Sequence, residues 1–442
     1  MKKPEPPPQA PERYSPPAFA DYEQWQALNR LLRYANEKYL YWDKFKYRPM
    51  PAWLSAEDAW LYLKLVRQAQ MRATPIRDIH GHSFKYWLPD MAQRHLHVID
   101  RQAAGSITAE SDILNSANRE RYLVSSLMNE AIASSQIEGA ATTRRVAKEM
   151  LRTSRKPQNR GERMILNNYL TISQIRHLAS KPLTPEMLNE LHISMTRETL
   201  ENPEAAGRYR LAHEDIVVQD HDQILHVPPP ASHLRKEVKS LCAFANRDED
   251  EFIHPVVKGI LLHFWIGFLH PYVDGNGRTA RAVFYWYMLS RGYWLFEFLS
   301  ISEFILKGRA QYDRAFLYAE TDDLDATYFV MFNLTAIVRS LNGLHEYLAR
   351  KQKEAAEMTK VLGERSGLNH RQQAVLRRAL SDENAEFTIA SHQTSQNIAF
   401  ATARSDLFDL VERGLLRREK VGRKYVFVIP DDLSDRIEAI NH

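Results

Sequence analysis

The sequence has almost none of the features that hold small secreted proteins together or anchor a chain in a membrane. It contains one cysteine, Cys242, which excludes an intramolecular disulfide and a zinc site built from several thiolates, and which favours a reducing compartment. It has no run of the roughly 18 apolar residues that a membrane-spanning helix requires. We therefore expect a cytoplasmic protein that has no membrane partner.

A strong excess of charge of one sign is also missing. The 442 residues carry 59 Lys and Arg against 55 Asp and Glu, which gives a formal net charge of +4. So small a charge on so long a chain excludes a protein that is basic throughout, and any contact with nucleic acid must rest on a local patch. With 44% apolar residues, the composition is that of an ordinary globular protein.

The composition changes along the first hundred residues. Residues 1–20 contain seven prolines and predict a disordered or extended arm. Residues 21–110 hold five of the eight tryptophans and predict an aromatic-rich helical module. Within it, Ser55 and Asp58 form a capping-box-like start for a helix that we expect to run through Met71.

The remainder of the chain predicts a mainly α protein with two further domains. Residues 115–345 show helical periodicity, except that residues 215–227 place two short apolar stretches around a polar turn and predict a β-hairpin. Residues 366–430 have the order helix, helix, helix and two strands, which is typical of a small winged-helix domain. Basic residues in its last two strands leave DNA as a candidate partner of this domain.

The most informative stretch is residues 270–281, which read His-Pro-Tyr-Val-Asp-Gly-Asn-Gly-Arg-Thr-Ala-Arg. Pro271 forces a turn, and Gly275 and Gly277 permit backbone conformations and close approach that a side chain would block. A loop of bare N–H groups that leads into a helix N-terminus favours phosphate, because the unpaired donors and the helix dipole both attract an anion.

The charged side chains of the same stretch predict a site for the phosphates of a nucleotide. Asp274 fits Mg²⁺, a cation that prefers a carboxylate together with phosphate oxygens. Arg278 and Arg281 are three residues apart on one helix face, and both can reach a polyphosphate. The imidazole of His270 titrates near neutral pH and can take a proton from an incoming hydroxyl.

This stretch resembles the signature of the Fic (filamentation induced by cAMP) family, His-x-Phe-x-Asp/Glu-Gly-Asn-Gly/Lys-Arg-x-x-Arg, and departs from it at Tyr272, where the family usually has Phe. The best-known members are helical enzymes that transfer the AMP part of ATP to a Ser, Thr or Tyr hydroxyl of a protein. The resemblance covers roughly residues 115–345 and implies a Fic-type helical core with ATP as substrate and Mg²⁺ as cofactor. It implies His270 as the general base and Asp274 as the Mg²⁺ ligand. It assigns the phosphate contacts to Gly275, Asn276, Gly277, Arg278 and Arg281.

Two further stretches resemble features that line the site in this family. The hairpin, with Ile216, Val217 and Val218 in its first half, stands where the family has a flap that docks the backbone of the target as an extra strand. The segment Arg309-x-x-Tyr312 resembles the one that lines the adenine slot, and it implies Tyr312 as a nucleotide contact. Glu320 stands where relatives often carry Asn.

The segment from Ser134 to Gly139, Ser-Ser-Gln-Ile-Glu-Gly, is similar to the inhibitory motif of the family, Ser/Thr-x-x-x-Glu-Gly/Asn. It ends a helix predicted over about residues 118–138. The carboxylate of Glu138, delivered to Arg281, would form an ion pair in a dry cleft and occupy the site meant for the γ-phosphate. The resemblance therefore implies an autoinhibited enzyme in which Ser134 and Glu138 keep the active site inactive.

The sequence thus predicts an autoinhibited nucleotidyltransferase that AMPylates a protein. Two alternatives stay open: an enzyme that removes AMP with the same site, where Glu138 would position a water, and a nucleotide-sensing regulator that binds DNA through residues 366–430. Self-modification and a homodimer also stay open. The sequence does not identify the target protein, the nucleotide preference or the role of residues 21–110.

Overall fold

The computed structural model of the chain describes residues 3–11, 14–16, 18–104, 116–220, 223–247, 251–364, 367–381, 385–421, 424–430, 432–433 and 436–437. These residues form two compact units. The first unit takes its members from Met1–Ser106 with Leu123–Asn342, and the second from Ile107–Tyr122 with Gly343–His442. No helix among the described residues is long and apolar enough to cross a membrane.

Four helices and a β-hairpin form the N-terminal part of the first unit. They are α1 Tyr22–Glu37, α2 Trp42–Phe45, α3 Ala56–Gln68, β1 Arg72–Arg77, β2 Ser83–Tyr86 and α4 Asp90–Ala103. Helix α3 begins at the predicted cap, where the Ser55 hydroxyl accepts a hydrogen bond of 3.0 Å from the Asp58 N–H. It ends at Gln68 and not at Met71, because the chain turns into the hairpin β1–β2, which the periodicity did not predict.

This N-terminal part packs against the later helices through buried polar contacts. The backbone of Lys85 on β2 accepts a hydrogen bond from the Ala326 N–H at 2.8 Å and donates one to the Leu324 carbonyl at 2.9 Å. The guanidinium of Arg67 is fully buried and donates to the Tyr328 hydroxyl at 3.1 Å. The aromatic-rich module is therefore built into the first unit.

The described residues of the proline-rich arm are extended and contact the same part of the unit. The carboxylate of Glu5 accepts a hydrogen bond from the Trp42 indole at 3.2 Å and pairs with the Lys46 ammonium. Phe19 packs edge-on against Trp53, with ring centroids 6.1 Å apart.

Ten helices and a second hairpin follow along the chain. They are α5 Ser116–Ile137, α6 Arg144–Thr153, α7 Arg160–Leu178, α8 Pro185–Thr196, β3 Val218–Asp220, β4 Gln223–His226, α9 Leu234–Asn246, α10 Pro255–Leu269, α11 Asn276–Ser290, α12 Ile301–Lys307, α13 Arg309–Thr321 and α14 Thr327–Glu364. Strands β3 and β4 pair antiparallel. The predicted hairpin is thus present, but Ile216 and Val217 precede its first strand, and its turn at residues 221–222 lies outside the described residues.

Helices α10 and α11 carry the stretch that the sequence singled out. Helix α10 is apolar around its whole circumference and is buried on nearly all sides, as expected of a central core helix. It ends where His270 adopts a left-handed φ of 45°, and α11 begins after Gly275, whose φ is 81°. These two left-handed residues reverse the chain and bring the loop between them to the start of α11.

The second unit contains the last three helices and two strands. They are α15 His370–Ser381, α16 Ile389–Gln396, α17 Phe400–Glu412, β5 Arg417–Val421 and β6 Lys424–Val428. A single antiparallel β-bridge pairs Phe387 with Phe427 on β6. The turn between β5 and β6 includes Arg423 and lies outside the described residues. The winged-helix assignment and DNA binding stay predictions.

The buried guanidinium of Arg67 gives a test of the packing of the first unit. Its Nε donates to the Asn36 amide oxygen at 2.9 Å and its Nη1 to the Leu40 carbonyl at 3.2 Å. Arg67→Ala should lower the free energy of unfolding by about 3–5 kcal/mol, because it leaves buried hydrogen-bond acceptors without their donor and opens a cavity. Urea denaturation checks this value.

The matched control is Arg33→Ala, at an exposed position of α1, which should change the free energy of unfolding by no more than about 0.5 kcal/mol. Equal losses for the two variants would contradict the proposed part of Arg67 in the packing.

Candidate active site

A cavity of about 530 Å³ opens in the first unit where five segments meet. Its walls are the end of α5, the hairpin β3–β4, the end of α10, the first turn of α11 and one face of α13. Five of the residues that the sequence assigned to the site line it: Glu138, Val218, His270, Gly277 and Tyr312.

The imidazole of His270 is held in one orientation at the end of α10. Its Nδ1 lies 2.7 Å from the carbonyl oxygen of Gly267. Because a carbonyl oxygen only accepts, Nδ1 carries the proton, and in the neutral ring the lone pair is on Nε2. Burial, only partly offset by this hydrogen bond, lowers the pKa of His270 to about 4. The ring is therefore a neutral base near pH 7, and none of the described residues bonds its Nε2.

The loop between α10 and α11 is closed by a side chain of its own. The amide oxygen of Asn276 accepts a hydrogen bond from the Tyr272 N–H at 2.9 Å, and its amide nitrogen donates to the Tyr272 carbonyl at 2.8 Å. The sequence assigned Asn276 to the phosphate contacts. In the structure, the side chain of Asn276 holds the shape of the loop. The loop therefore offers an anion the backbone N–H groups of the first turn of α11.

Two residues that the sequence analysis did not single out hold this loop from outside. His192 on α8 accepts a hydrogen bond from the Gly207 N–H and donates one to the Asp274 carbonyl, at 3.0 and 2.9 Å. Its ring stacks on Tyr272 with centroids 3.7 Å apart, and burial lowers its pKa to about 4. Arg210 donates to the carbonyl oxygen of His270 at 2.7 Å. The hydrogen bond from His192 to Asp274 and the one from Arg210 to His270 each join positions more than 50 residues apart. No local sequence pattern therefore points to them.

The carboxylate of Glu138 lies over the first turn of α11. A Cβ atom at position 277 would stand 2.2 Å from its Oε1, so that only Gly277 leaves room for it. Glu138 follows Ile137, the last residue of α5, and Gly139 ends the helix with a φ of 91°. The N-terminus of a helix attracts negative charge, and the anion that occupies this one is Glu138.

The same carboxylate forms an ion pair with Arg281. The distance from Glu138 Oε1 to Arg281 Nη2 is 3.0 Å. Arg281 is almost fully buried and also donates from Nε to the Ser134 hydroxyl at 2.8 Å and from Nη2 to the Ser134 carbonyl at 2.9 Å. Burial alone would raise the pKa of Glu138, but the guanidinium groups of Arg281 and Arg278 outweigh it and hold this pKa below its ordinary value. Glu138 is therefore ionised at neutral pH.

The guanidinium of Arg278 is buried, and some of its N–H donors form no hydrogen bond with the described residues. Its side chain is 0% exposed, and its one good hydrogen bond runs from Nη1 to the Met195 carbonyl at 2.8 Å. Its Nε and Nη2 have no hydrogen-bond partner among the described residues, and burial lowers its pKa. Buried polar groups normally have partners, so that the free donors indicate room for an anionic acceptor.

Asp274 lies at the start of α11, where its Oδ2 pairs with Arg160 at 3.0 Å and its Oδ1 accepts from the Gly275 N–H at 2.6 Å. Among the described residues no group of three or more His, Cys, Asp or Glu could hold a metal ion. A single, partly exposed carboxylate still fits Mg²⁺, which is commonly held by one or two carboxylates together with phosphate oxygens of its substrate. Such an ion would take the place of Arg160 at the carboxylate.

The far wall of the cavity is α13. The Tyr312 hydroxyl and His263 Nε2 share a hydrogen bond of 2.9 Å, which fixes the tyrosine ring against α10. Glu320, the penultimate residue of α13, contacts the Nδ1 of His226 at 2.7 Å. The Nε2 of His226 donates to the Phe268 carbonyl at 2.8 Å. His226 therefore ties the hairpin to α10 and α13. The sequence analysis missed it, because its partners come from two distant helices.

The lowered pKa of His270 gives a test that needs no substrate. A histidine whose folded pKa lies below the ordinary value of about 6.5 releases its proton at a lower pH. In an NMR titration, with the ring signals assigned by a His270→Gln variant, His270 should stay neutral down to about pH 5 and titrate with a midpoint near 4. A midpoint close to 6.5 would show that the ring is not buried as described.

Comparison with known proteins places the site in a family. Residues 182–288 match the model of the Fic/DOC family, which takes in the hairpin and the loop between α10 and α11. The protein adenylyltransferase Fic of Nematostella vectensis is 32% identical over 104 residues, which are 24% of this chain and 22% of that protein. The protein of the same name from Drosophila melanogaster is 32% identical over 68 residues, 15% of this chain and 14% of its own length. The chain therefore matches about a fifth or less of the length of these curated relatives.

The fold gives the same result over a longer stretch. Fic-1 from C. elegans superposes with a TM-score of 0.51 over 75% of this chain and 86% of that chain, at 16% sequence identity. An identity this low shows a shared fold, and it confirms the mainly α, Fic-type core that the sequence predicts. The family match and the motif at its centre show that residues 182–288 form a Fic/DOC domain, and the shared fold extends the likeness over 75% of the chain.

Proposed function

We propose that this chain is a protein adenylyltransferase that transfers AMP from ATP to a Ser, Thr or Tyr hydroxyl of a protein, and that Glu138 holds it inactive. The observation that carries the proposal is that one cavity combines a neutral His270 with the N-terminus of α11, where the Glu138 carboxylate lies against Gly277 and Arg281. The curated relatives support the chemistry, since they are protein adenylyltransferases by name.

The triphosphate of ATP would bind at the start of α11. The backbone N–H groups of Asn276 and Gly277 would attract phosphate oxygens, and Arg278 and Arg281 have buried donors for two phosphates. The adenine would then extend towards Tyr312 on α13, which lines the far wall. Asp274 would hold Mg²⁺, which neutralises charge on the phosphates and on the leaving pyrophosphate.

His270 would act on the incoming hydroxyl. Its Nε2 accepts the proton as the hydroxyl oxygen forms a bond to the α-phosphorus, and the bond from the α-phosphorus to the β-phosphate oxygen breaks, which releases pyrophosphate. The Nδ1–H bond to the Gly267 carbonyl keeps the lone pair on Nε2 and stabilises the imidazolium that forms. Because no covalent intermediate forms between the chain and the nucleotide, the rate depends on how the hydroxyl and the α-phosphate are positioned.

Glu138 would inhibit by occupying one phosphate position. With its carboxylate on Arg281 and over Gly277, the γ-phosphate loses its guanidinium partner and meets a like charge. ATP would then bind with its α-phosphate out of line with the hydroxyl. A displacement of about 1 Å can cost on the order of 10²-fold in rate, so that a displaced but bound ATP explains inhibition without exclusion of the nucleotide.

The hairpin β3–β4 would dock the target. Val218, Leu225 and His226 line the cavity beside His270, and the sequence-predicted Ile216 and Val217 lie directly before β3. A short strand can add an extended segment of a partner through backbone hydrogen bonds, which requires little of its sequence. The expected partner is a protein segment with an exposed hydroxyl, and a segment of a second copy of this chain satisfies the same requirement.

Removal of AMP by the same site is a second candidate. The observation that favours it is that the Glu138 carboxylate and His270 line one cavity, where a carboxylate can position a water. The two directions respond in opposite ways to Glu138→Gln: transfer of AMP rises, whereas removal of AMP falls.

A regulator that binds DNA through the second unit is the third reading. Three of its basic residues, Arg417, Arg418 and Lys420, lie on β5, and Lys424 is the first residue of β6. DNA binding and a homodimer stay predictions, and the adenylyltransferase needs neither.

The role proposed for His270 predicts a selective loss. His270→Ala should lower AMP transfer by about 10² to 10⁴-fold, because a positioned general base is removed, while ATP affinity stays within about twofold. Labelling with [α-³²P]ATP measures transfer, and isothermal titration calorimetry measures binding. Wild-type labelling by the variant would rule out the base, and loss of ATP binding would assign His270 to the nucleotide instead.

The inhibitory role of Glu138 predicts activation by its removal. Glu138→Gly should raise labelling of the chain or of a lysate protein by about 10²-fold, and Glu138→Asp, with its shorter reach, should release only part of it. Arg281→Ala should stay inactive, because it removes the inhibitory partner and the phosphate contact together. The double variant Glu138→Gly with Arg281→Ala should match Arg281→Ala, since the two residues share one interaction.

The matched control is Glu149→Gln beside Glu138→Gln. Glu149 is an exposed carboxylate on α6 and should leave labelling at the wild-type level, whereas Glu138→Gln should activate. Equal labelling by wild type and all Glu138 variants, with verified folding and saturating ATP, would contradict autoinhibition and leave the role of His270 untouched.

A further inference from the structure

A second cavity, of about 720 Å³, lies in the first unit on the other face of α13. Gln311, Ala315 and Tyr318 face it, at positions i, i+4 and i+7 of the helix. Asp313 and Glu320, on the opposite stripe, face the cavity of His270. The helix therefore separates the two cavities, and a substitution can be confined to one of them.

The floor of this second cavity is formed by four tyrosines with occupied hydroxyls. Tyr39 donates to Asp325 and Tyr328 to Asp322, both at 2.6 Å, and Tyr318 donates to Asp43 at 2.7 Å. The Tyr41 hydroxyl shares a hydrogen bond of 2.9 Å with Thr321. Because every hydroxyl is bonded within the protein, the tyrosines present ring carbon to the cavity. The rings are also fixed, which favours a flat, apolar group.

The rim of the cavity is positively charged. Four exposed cations and one carboxylate lie around it: Lys38, Lys44, Lys307, Arg339 and Glu37. Among the described residues, only Lys307 of the four has a carboxylate within ion-pair distance, Glu303 at 3.5 Å. Cations that are gathered without counter-ions around a concave surface raise the local concentration of anions.

One polar atom within the cavity wall is unsatisfied. The Nδ1 of His95 on α4 is buried and has no hydrogen-bond partner among the described residues, and His95 lines the cavity between the tyrosine floor and the rim. A buried polar atom without a partner is unusual in a folded protein. Because the atom has almost no accessible surface, it belongs to the wall of the cavity and is not a contact for a ligand.

We propose that the second cavity binds a small anionic molecule with a planar ring, such as an aromatic carboxylate or phosphate. The ring would lie on the tyrosine floor, and the acid group would contact Lys38 and Arg339 at the rim. The volume is within the usual range of about 300–1,000 Å³ for small-molecule sites. The proposal does not rest on the adenylyltransferase reaction, since it concerns the opposite face of α13.

Titration of the full chain with 1-naphthyl phosphate, followed by ligand fluorescence, tests the proposal. Wild type should bind one equivalent saturably. The double variant Lys38→Glu with Arg339→Glu should weaken binding by at least about tenfold, which corresponds to about 1.4 kcal/mol. Raising the salt concentration should weaken binding to wild type, because the rim charges are exposed.

A second double variant is the matched control for the reversal of charge. Arg33→Glu with Arg101→Glu reverses two exposed charges of α1 and α4 that do not line the cavity, and it should leave the affinity within about twofold. Ala315→Trp fills the cavity from α13 and should abolish binding, with circular dichroism to verify folding. The absence of saturable binding, or equal weakening by both charge-reversed doubles, would overturn the proposal.

Discussion

The ion pair between Glu138 and Arg281 is the interaction on which the organisation of the site depends. It brings a carboxylate from the end of α5 to the N-terminus of α11, over the one residue, Gly277, that leaves space for it. Removing one partner of a buried pair costs about 3–5 kcal/mol, because the other charge is left uncompensated. Under the proposed function, Arg281 is satisfied by one anion at a time, so that Glu138 and a phosphate would compete for it.

The helix that carries Glu138 is itself firmly held. Its Glu130 accepts a hydrogen bond from the Tyr285 hydroxyl at 2.8 Å and from the Ser302 N–H at 3.0 Å, and Asn168 donates to the Ala131 carbonyl at 3.2 Å. These contacts anchor α5 two turns before its end. Relief of the proposed inhibition would therefore require only a movement of the Glu138 side chain and the last turn of α5, while the rest of the helix stays in place.

The chemistry of the site could be predicted because its residues lie together in the sequence. His270 and Arg281 belong to one loop and helix start, and Glu138 belongs to a second short motif, so that each pattern is local. His226 and His192 could not be predicted, because their partners lie on helices that are 40 to 80 residues away. The hairpin β1–β2 was not predicted from the sequence. Each of its strands buries only two side chains by alternation, and so short a pattern cannot be recognised.

The most direct measurement is the position of the γ-phosphate in crystals of the wild type and of Glu138→Gly, each soaked with ATP and Mg²⁺. The account predicts that the γ-phosphate contacts the Arg281 guanidinium within hydrogen-bond distance in the variant, with the α-phosphate next to His270 Nε2. In the wild type Glu138 should retain Arg281, and the γ-phosphate should lie elsewhere. The same γ-phosphate position in both crystals, with Glu138 still on Arg281 in the wild type, would contradict the account.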